Sequence, residues 1–280
     1  MVDKRIGKTI KITKEMNQIL LGSILGDASI IKNSRHSAIF SETHSINQEG
    51  YLKWKNSYLN FKENVYTFYD KRSNRKYNQI RIRSPSSPSL LNYYNLFYGD
   101  GNKKLISQEV LNRLELLGLA VWYCDDGCFV YGRKNIVLST QSFKDDLNLI
   151  QTWLKSKFEI DCKIKNNNGG YLYFSVEDSI KFVDLMKDVV PVCMLYKLGM
   201  DKQRRIKALE TEQRYKERKK ELSKKYWLNN KKRLTKKAQL NYIKNKEERI
   251  EWQKRYYQKN RQTILEKKVI YRKGLGLAKR

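Results

Sequence analysis

A chain of 280 residues with 40% hydrophobic and 12% aromatic content can bury a core of its own, which excludes general disorder and removes any need for disulfide or metal staples. Its 58 Lys+Arg against 29 Asp+Glu leave a formal charge of +29, so the partner to expect is a polyanion. Four cysteines without a C-x-x-C pair and only two histidines give too few ligands for a zinc site, and no run approaches the ~18 apolar residues of a membrane span.

The N-terminus MVDKRIGKTIKITKE lacks the apolar centre of a signal peptide. A soluble, unsecreted protein with no membrane contact is expected, with Cys124, Cys128, Cys162 and Cys193 as buried free thiols in a reducing compartment. An apolar helical segment runs over Glu15–Gly26 and stops at Asp27. β-like stretches follow at Ser29–Lys32 and Ala38–Ser45, then a helical pattern at Tyr51–Lys62. Val65–Tyr69 and Gln79–Arg83 read as strands, and a helix near Leu90–Tyr98 follows the Ser-Pro turn.

A second apolar helical segment, Glu109–Cys124, stops at Asp125-Asp126-Gly127, and the same series then repeats. Phe129–Tyr131 and Asn135–Thr140 form a hairpin, Lys144–Phe158 a helix, Asp161–Lys165 and Gly170–Ser175 strands, and Ser179–Val189 a helix. The pattern is α-β-β-α-β-β-α twice, with Asp27 and Asp126 at matching places. An internal duplication of this kind predicts an α/β (α+β) protein of two similar halves, 1–106 and 107–201, related by a pseudo-twofold axis.

From Lys202 onward Pro and strand patterns vanish. Residues 202–280 hold 29 Lys+Arg and 8 acids, an excess of +21, and read as a separate basic helical extension. Within it Trp227, Tyr242 and Tyr257 are each followed three residues later by Asn230, Asn245 and Asn260, a period of 15. Positive charge interspersed with Tyr and Trp favours nucleic acid over a merely solvated helix, and Lys231–Arg233 also has the composition of a nuclear import signal.

The chemistry centres on LLGSILGDA, Leu20 to Ala28, and LAVWYCDDG, Leu119 to Gly127. A carboxylate at a helix C-terminus faces the negative end of the helix dipole, which costs about 0.3–1 kcal/mol unless a cation sits there. Two such ends packed together would make a hard-oxygen pocket suited to Mg²⁺, and Gly22 and Gly26, four apart, allow the close helix approach this needs. A single Asp-Gly after a helix is an ordinary turn signal. Two copies at equivalent points of a duplicated pattern, on a strongly basic chain, carry more weight.

These residues resemble the LAGLIDADG homing endonucleases in their single-chain, two-motif, intron-encoded form. The resemblance covers roughly residues 15–200, and includes NIVLSTQSF at 135–143 and VCMLYKLG at 192–199. Val121 and Asp125 depart from the small residues of the second motif, and Ser23 and Leu25 from the letters of the first. The resemblance implies a monomer whose two antiparallel sheets form a DNA-binding saddle, and makes Asp27 and Asp126 the metal-binding acids for Mg²⁺ (or Mn²⁺). It also implies a basic residue near each scissile phosphate, at Lys104, with Lys103 a close competitor, and at Lys197. A polar residue ordering water matches Gln141, with His44 its counterpart through the repeat of THS and TQS.

The activity so implied is metal-assisted hydrolysis of DNA phosphodiester bonds at a long target, approximately palindromic or asymmetric, with lysines offsetting the developing charge. Recognition falls to polar and basic residues of the strand regions: Lys32, Arg35, Glu42, Lys71, Arg72, Arg75, Lys76, Arg81, Arg83, Arg133, Lys134, Lys163 and Lys165, most of them on phosphate. The alternatives are an RNA-binding maturase acting on intron RNA, and a catalytically inactive DNA-binding protein. Retention of both acids favours cleavage. Richness in Lys, Asn, Ile and Tyr suggests an AT-rich genome, a mitochondrion before a plastid, with phage or bacterial origin open.

Overall fold

The computed structural model describes residues 9–99, 101, 103–165 and 170–274. The first eight residues of the N-terminal stretch and residues 275–280 of the basic extension therefore lie outside the described residues. The chain divides into two compact units, 1–212 and 213–280.

The first unit contains the repeated series. Its first half runs α1 (Lys14–Leu25), β1 (Ser29–Ser34), β2 (Ser37–Ser45), α2 (Glu49–Leu59), β3 (Lys62–Asp70), β4 (Arg75–Arg83) and α3 (Pro88–Tyr98). After a short helix α4 (Gln108–Arg113), the second half follows as α5 (Leu116–Asp126), β5 (Gly127–Val130), β6 (Asn135–Ser139), α6 (Leu147–Phe158), β7 (Lys163–Lys165), β8 (Tyr171–Tyr173) and α7 (Val176–Met186). Both sheets are antiparallel and have the same order, β1-β2-β4-β3 and β5-β6-β8-β7. The two αββαββα halves are present as the duplication predicts.

Local chemistry sets the element ends. Thr13 caps α1 by accepting from the Met16 N–H, Ser87 caps α3 with Pro88 in its first turn, and Ser175 caps α7. Asn60 ends α2 in a left-handed conformation (φ 52°), so the helix expected to reach Lys62 stops at Leu59 and β3 begins at Lys62. The expected continuous helix over 109–124 is broken at Leu114–Glu115. There the buried Gln18 of α1 donates to the Arg113 carbonyl and accepts from the Glu115 N–H, replacing helical partners with its own amide. A 3₁₀ turn over Val192–Leu198 was not foreseen; its residues lack helical periodicity, and the Tyr123 hydroxyl pins it by donating to the Lys197 carbonyl.

The core is continuous between the halves, and α1 and α5 lie at its centre. From Met16 to Leu25 every residue of α1 except Asn17 is buried, as is every residue of α5 from Gly118 to Cys124. The helices meet through small residues on one side and larger ones on the other. A Cβ at Gly22 would stand 2.3 Å from the Gly118 carbonyl and 2.7 Å from Val121, and one at Gly26 would stand 2.4 Å from Asp125. The two departures in the second motif, Val121 and Asp125, thus fill the space that the glycines of the first leave open.

Of the cysteines, Cys124 and Cys162 are buried but Cys128 and Cys193 are exposed, so the expectation of four buried thiols holds for two. From Lys202 the chain continues as helix, α8 (Lys202–Lys244) and α9 (Lys246–Gly274), of which the part from 213 onward belongs to the second unit. No residue described in 213–271 is buried, and no helix among the described residues is long and apolar enough to cross a membrane. Asn230 and Asn260 donate to the carbonyls of Tyr226 and Tyr256 four residues back, and Asn245 falls at the junction between α8 and α9.

Candidate active site at the ends of the motif helices

Because α1 and α5 pack through glycines, their C-terminal ends come together, and with them Asp27, Asp125 and Asp126. Asp27 follows α1 directly and its side chain is about half exposed (47%). Asp125 closes the gap between the motifs: its Oδ2 accepts from the Asp27 N–H at 3.4 Å. Asp126 ends α5 and accepts from Trp122 Nε1 at 3.2 Å. Burial, reinforced by the negative charges of Asp125 and Asp27, pushes the Asp126 carboxyl up to about 7.

Lys104 and Lys197 occupy equivalent posts in the two halves. Lys104 Nζ donates to the Gly26 carbonyl at 2.8 Å, and Lys197 Nζ to the Gly127 and Asp125 carbonyls at 2.7 and 3.2 Å. Each ammonium therefore sits on the carbonyl end of its own motif helix, where a cation is favoured. Burial lowers the Lys104 pKa against the pull of Asp126 and Asp27. Lys103 lines a cleft of about 480 Å³ together with Lys104 and Gln141, so Gln141, at the start of a 3₁₀ turn after β6, faces the Lys104 end.

Beneath the acids lies a buried network. Lys55, on α2 and fully buried, donates to Glu42 Oε1 at 2.5 Å and to Asp125 Oδ1 and Oδ2 at 2.8 and 3.0 Å. The Tyr51 hydroxyl lies 2.8 Å from Asp125 Oδ1 and 3.1 Å from the Val121 carbonyl, so the end of α5 is tied to α2 of the other half. Tyr51, Lys55 and the link through Asp125 were missed. The helical pattern over Tyr51–Lys62 puts Tyr51 and Lys55, four apart, on one face, and that spacing is the only local signal.

His44 joins the network from the β2 side. Its Nε2 lies 2.7 Å from Glu42 Oε1 and its Nδ1 3.2 Å from Gln48 Oε1 and 3.9 Å from Asp27 Oδ2. With acceptors at both ring nitrogens the imidazolium is favoured, and its pKa is raised although burial opposes this. Glu42 is likewise penalised by burial, yet Lys55 and His44 outweigh that and hold its carboxyl down at about 2. Asp125 is pushed up to about 6 by burial despite Lys55. Glu42, placed among the recognition residues by its strand, thus points inward, and its Oε2 has no hydrogen-bond partner among the described residues.

Donor atoms of Asp27, His44 and Asp125 lie within 4.8 Å of one another. Both Asp125 oxygens, however, are held by Lys55, and its side chain is wholly buried. Asp27 and Asp126 are hard carboxylate donors that no such lysine occupies, and burial, with the charges of Asp125 and Asp27, is what raises Asp126. A divalent cation matches that donor set.

Strand register sorts the expected recognition residues. Ile80 and Ile82 of β4 face the core, so Gln79, Arg81, Arg83 and Arg75 take the opposite face. Arg81 confirms this by reaching Thr43 and Tyr66 of the neighbouring strands, at 3.1 and 2.7 Å. Lys163 and Lys165 share the equivalent face of the second sheet with Tyr171 and Tyr173. Arg35, Lys71, Arg72, Arg133 and Lys134 lie in hairpin turns, and Lys76 on the exposed stretch of β4 faces away from Arg75. Lys32 is not brought to the open face: paired with Ala38, its Nζ lies 5.5 Å over the Tyr94 ring of α3.

The family model described as "LAGLIDADG DNA endonuclease family" matches residues 17–182, more than half of the chain. A curated RecA protein of Mycolicibacterium flavescens is 28% identical over 207 residues, covering 67% of this chain and 47% of that protein; the chain spans about half the length of such relatives. A probable intron-encoded DNA endonuclease 3 of Mycosarcoma maydis is 33% identical over 108 residues, 38% of this chain and 79% of that one. Among solved structures, the homing endonuclease I-WcaI bound to its DNA recognition sequence superposes with a TM-score of 0.62 at 24% identity, over 68% of this chain and 88% of that chain, a likeness of fold. With two motif helices, two equivalent sheets and the family match across both, the chain belongs to the LAGLIDADG DNA endonuclease family in its single-chain, two-motif form.

Proposed function

We propose that the protein is a site-specific double-strand DNA endonuclease acting as a monomer, with one acid and one lysine serving each strand. The observation that carries this reading is the convergence of two acids, each at the end of a motif helix whose carbonyls are capped by its own lysine. Asp27 and Asp126 would hold Mg²⁺ or Mn²⁺, which supplies Lewis-acid activation of water and charge neutralisation at the phosphate. Lys104 and Lys197 place positive charge where the pentavalent phosphate accumulates negative charge. Gln141 orients water by hydrogen bonding, while His44, its expected counterpart, has both ring nitrogens engaged by Gln48 and Glu42 and serves the network beneath the acids. The network of Lys55, Glu42 and Asp125 fixes the backbone at Asp27 and the end of α5, so both acids stay in place.

Arg75, Arg81, Arg83, Lys163 and Lys165 hold the duplex from the open sheet faces, with Arg35, Arg72, Arg133 and Lys134 reaching it from the hairpin turns. Halves 1–106 and 107–201 each serve one half-site, and the segment from 202 is an accessory polyanion-binding arm. Its exposed rings, such as Trp227 with Lys231 at 5.2 Å and Trp252 stacked on Tyr256, also suit unpaired bases, which is the observation favouring a second, maturase-type role on intron RNA. The relatives include a fungal intron-encoded endonuclease and bacterial RecA proteins, so the host is a mobile element in an organellar or bacterial genome.

The test is incubation with a pooled duplex library that includes the uninterrupted form of its own locus, with Mg²⁺ and with EDTA. One metal-dependent double-strand cut supports the reading. No cut, with selective retention of its own intron RNA, moves the assignment to the maturase.

A further inference from the structure

The two halves agree in topology but not in the reach of their sheets. β3 and β4 pair over nine registers, from Lys62↔Arg83 to Asp70↔Arg75. From Thr67 to Asn78 every residue except Asp70 is exposed, so this hairpin extends past the last buried residues of its sheet, Ile80 and Ile82. In the second half β7 and β8 pair over three registers, Lys163↔Tyr173 to Lys165↔Tyr171. Only eleven residues run from Lys163 to Tyr173, so neither arm there can exceed five. At about 3.3 Å per residue the arms reach about 30 Å in the first half and at most about 16 Å in the second.

The long hairpin is also chemically distinct. Phe68 and Tyr77 are a cross-strand pair near its tip, on the face that carries Arg75, Arg81 and Arg83, and are 48% and 42% exposed. Apart from these two rings and Tyr66 the open face of the hairpin is polar and basic, and rings exposed to this extent bury too little surface for stability alone to explain them. A phenyl ring offers no hydrogen bond, and the apolar feature of a major groove is the thymine methyl.

We infer that the target is read unequally: the first half covers a half-site of up to about nine base pairs at ~3.4 Å each, the second no more than about five, and Phe68 with Tyr77 meets thymine methyls at the outer end of the longer one. This rests on the reading of the protein as a DNA endonuclease.

The experiment is selection of bound duplexes from a library randomised over 30 base pairs, with the full chain in EDTA so that nothing is cut, followed by the same selection with Phe68→Ala/Tyr77→Ala. Both rings are solvent-facing, so the variant keeps its fold, checked by an unchanged melting temperature. The expected result is a consensus extending further from its centre on one side, with thymine at outer positions that the variant alone loses. A consensus of equal arms overturns the inference while leaving DNA recognition intact, as does an unequal one whose outer positions survive the double substitution. Recovery of no preferred duplex overturns the endonuclease reading and this inference with it.

Discussion

Lys55→Met is the perturbation whose size follows most directly from the structure. The ammonium it removes is the shared partner of two buried carboxylates, Glu42 and Asp125, while methionine keeps the length and apolar stem of the side chain. Breaking a buried pair by deleting one partner costs about 3–5 kcal/mol, because charge is left in a low-dielectric site. In a unit of this size each kcal/mol moves the melting temperature by about 2–4 °C, so thermal unfolding followed by circular dichroism at pH 8 should fall by about 10–15 °C. The loss should also depend on pH. Asp125, already pushed up to about 6, takes a proton more readily once Lys55 is gone, so the penalty present at pH 8 shrinks at pH 5. Adding Glu42→Gln and Asp125→Asn to Lys55→Met removes the stranded charges and should restore much of the loss. A melting temperature within about 3 °C of wild type at pH 8, or a deficit that does not shrink in acid, would mean that Lys55 does not hold two buried charges.

Three further outcomes follow from the same geometry. Gly22→Val forces a side chain against the Gly118 carbonyl, where a Cβ alone would stand at 2.3 Å; urea unfolding should show a loss of about 2–3 kcal/mol, larger than for Gly50→Ala, whose Cβ meets nothing nearer than 3.7 Å. Glu42, with its folded pKa held at about 2 against an ordinary 4.5, contributes stability that is complete above pH 4.5 and lost as the pH falls toward 2. The wild type should therefore lose stability more steeply across that window than Glu42→Gln, and parallel curves would contradict the pairing. Lys104→Ala and Lys197→Ala should each slow cleavage of one strand about a hundredfold, scored as nicked product, with DNA affinity nearly unchanged.

The parts of the fold that repeat were legible because hydrophobic period and turn chemistry repeat with them: two apolar helices ending in Asp, each followed by two hairpins with a helix between. The equivalent stations of Lys104 and Lys197 were reached through resemblance alone, since nothing in their local sequence marks a residue that caps a distant helix. The interior network was not legible. Lys55 reads as one more surface lysine of an amphipathic helix, and its burial depends on Glu42 and Asp125, 13 and 70 residues away. Asp125 looked like a defect in a motif; packed against Gly26 it becomes the bridge between the two acids' helices. The Leu114–Glu115 break depended on the Gln18 side chain, a partner about a hundred residues away that periodicity cannot show.

In the proposed function Asp27 and Asp126 act together as a metal-dependent cleavage centre. The most direct test compares wild type, Asp27→Asn and Asp126→Asn on one selected duplex, measuring cleavage of each strand with Mg²⁺ and, in parallel, DNA affinity in EDTA. Double-strand cuts should need the metal, be abolished in both variants, and vanish while affinity stays within a few fold of wild type. Cleavage persisting in either variant, or proceeding in EDTA, would contradict this reading.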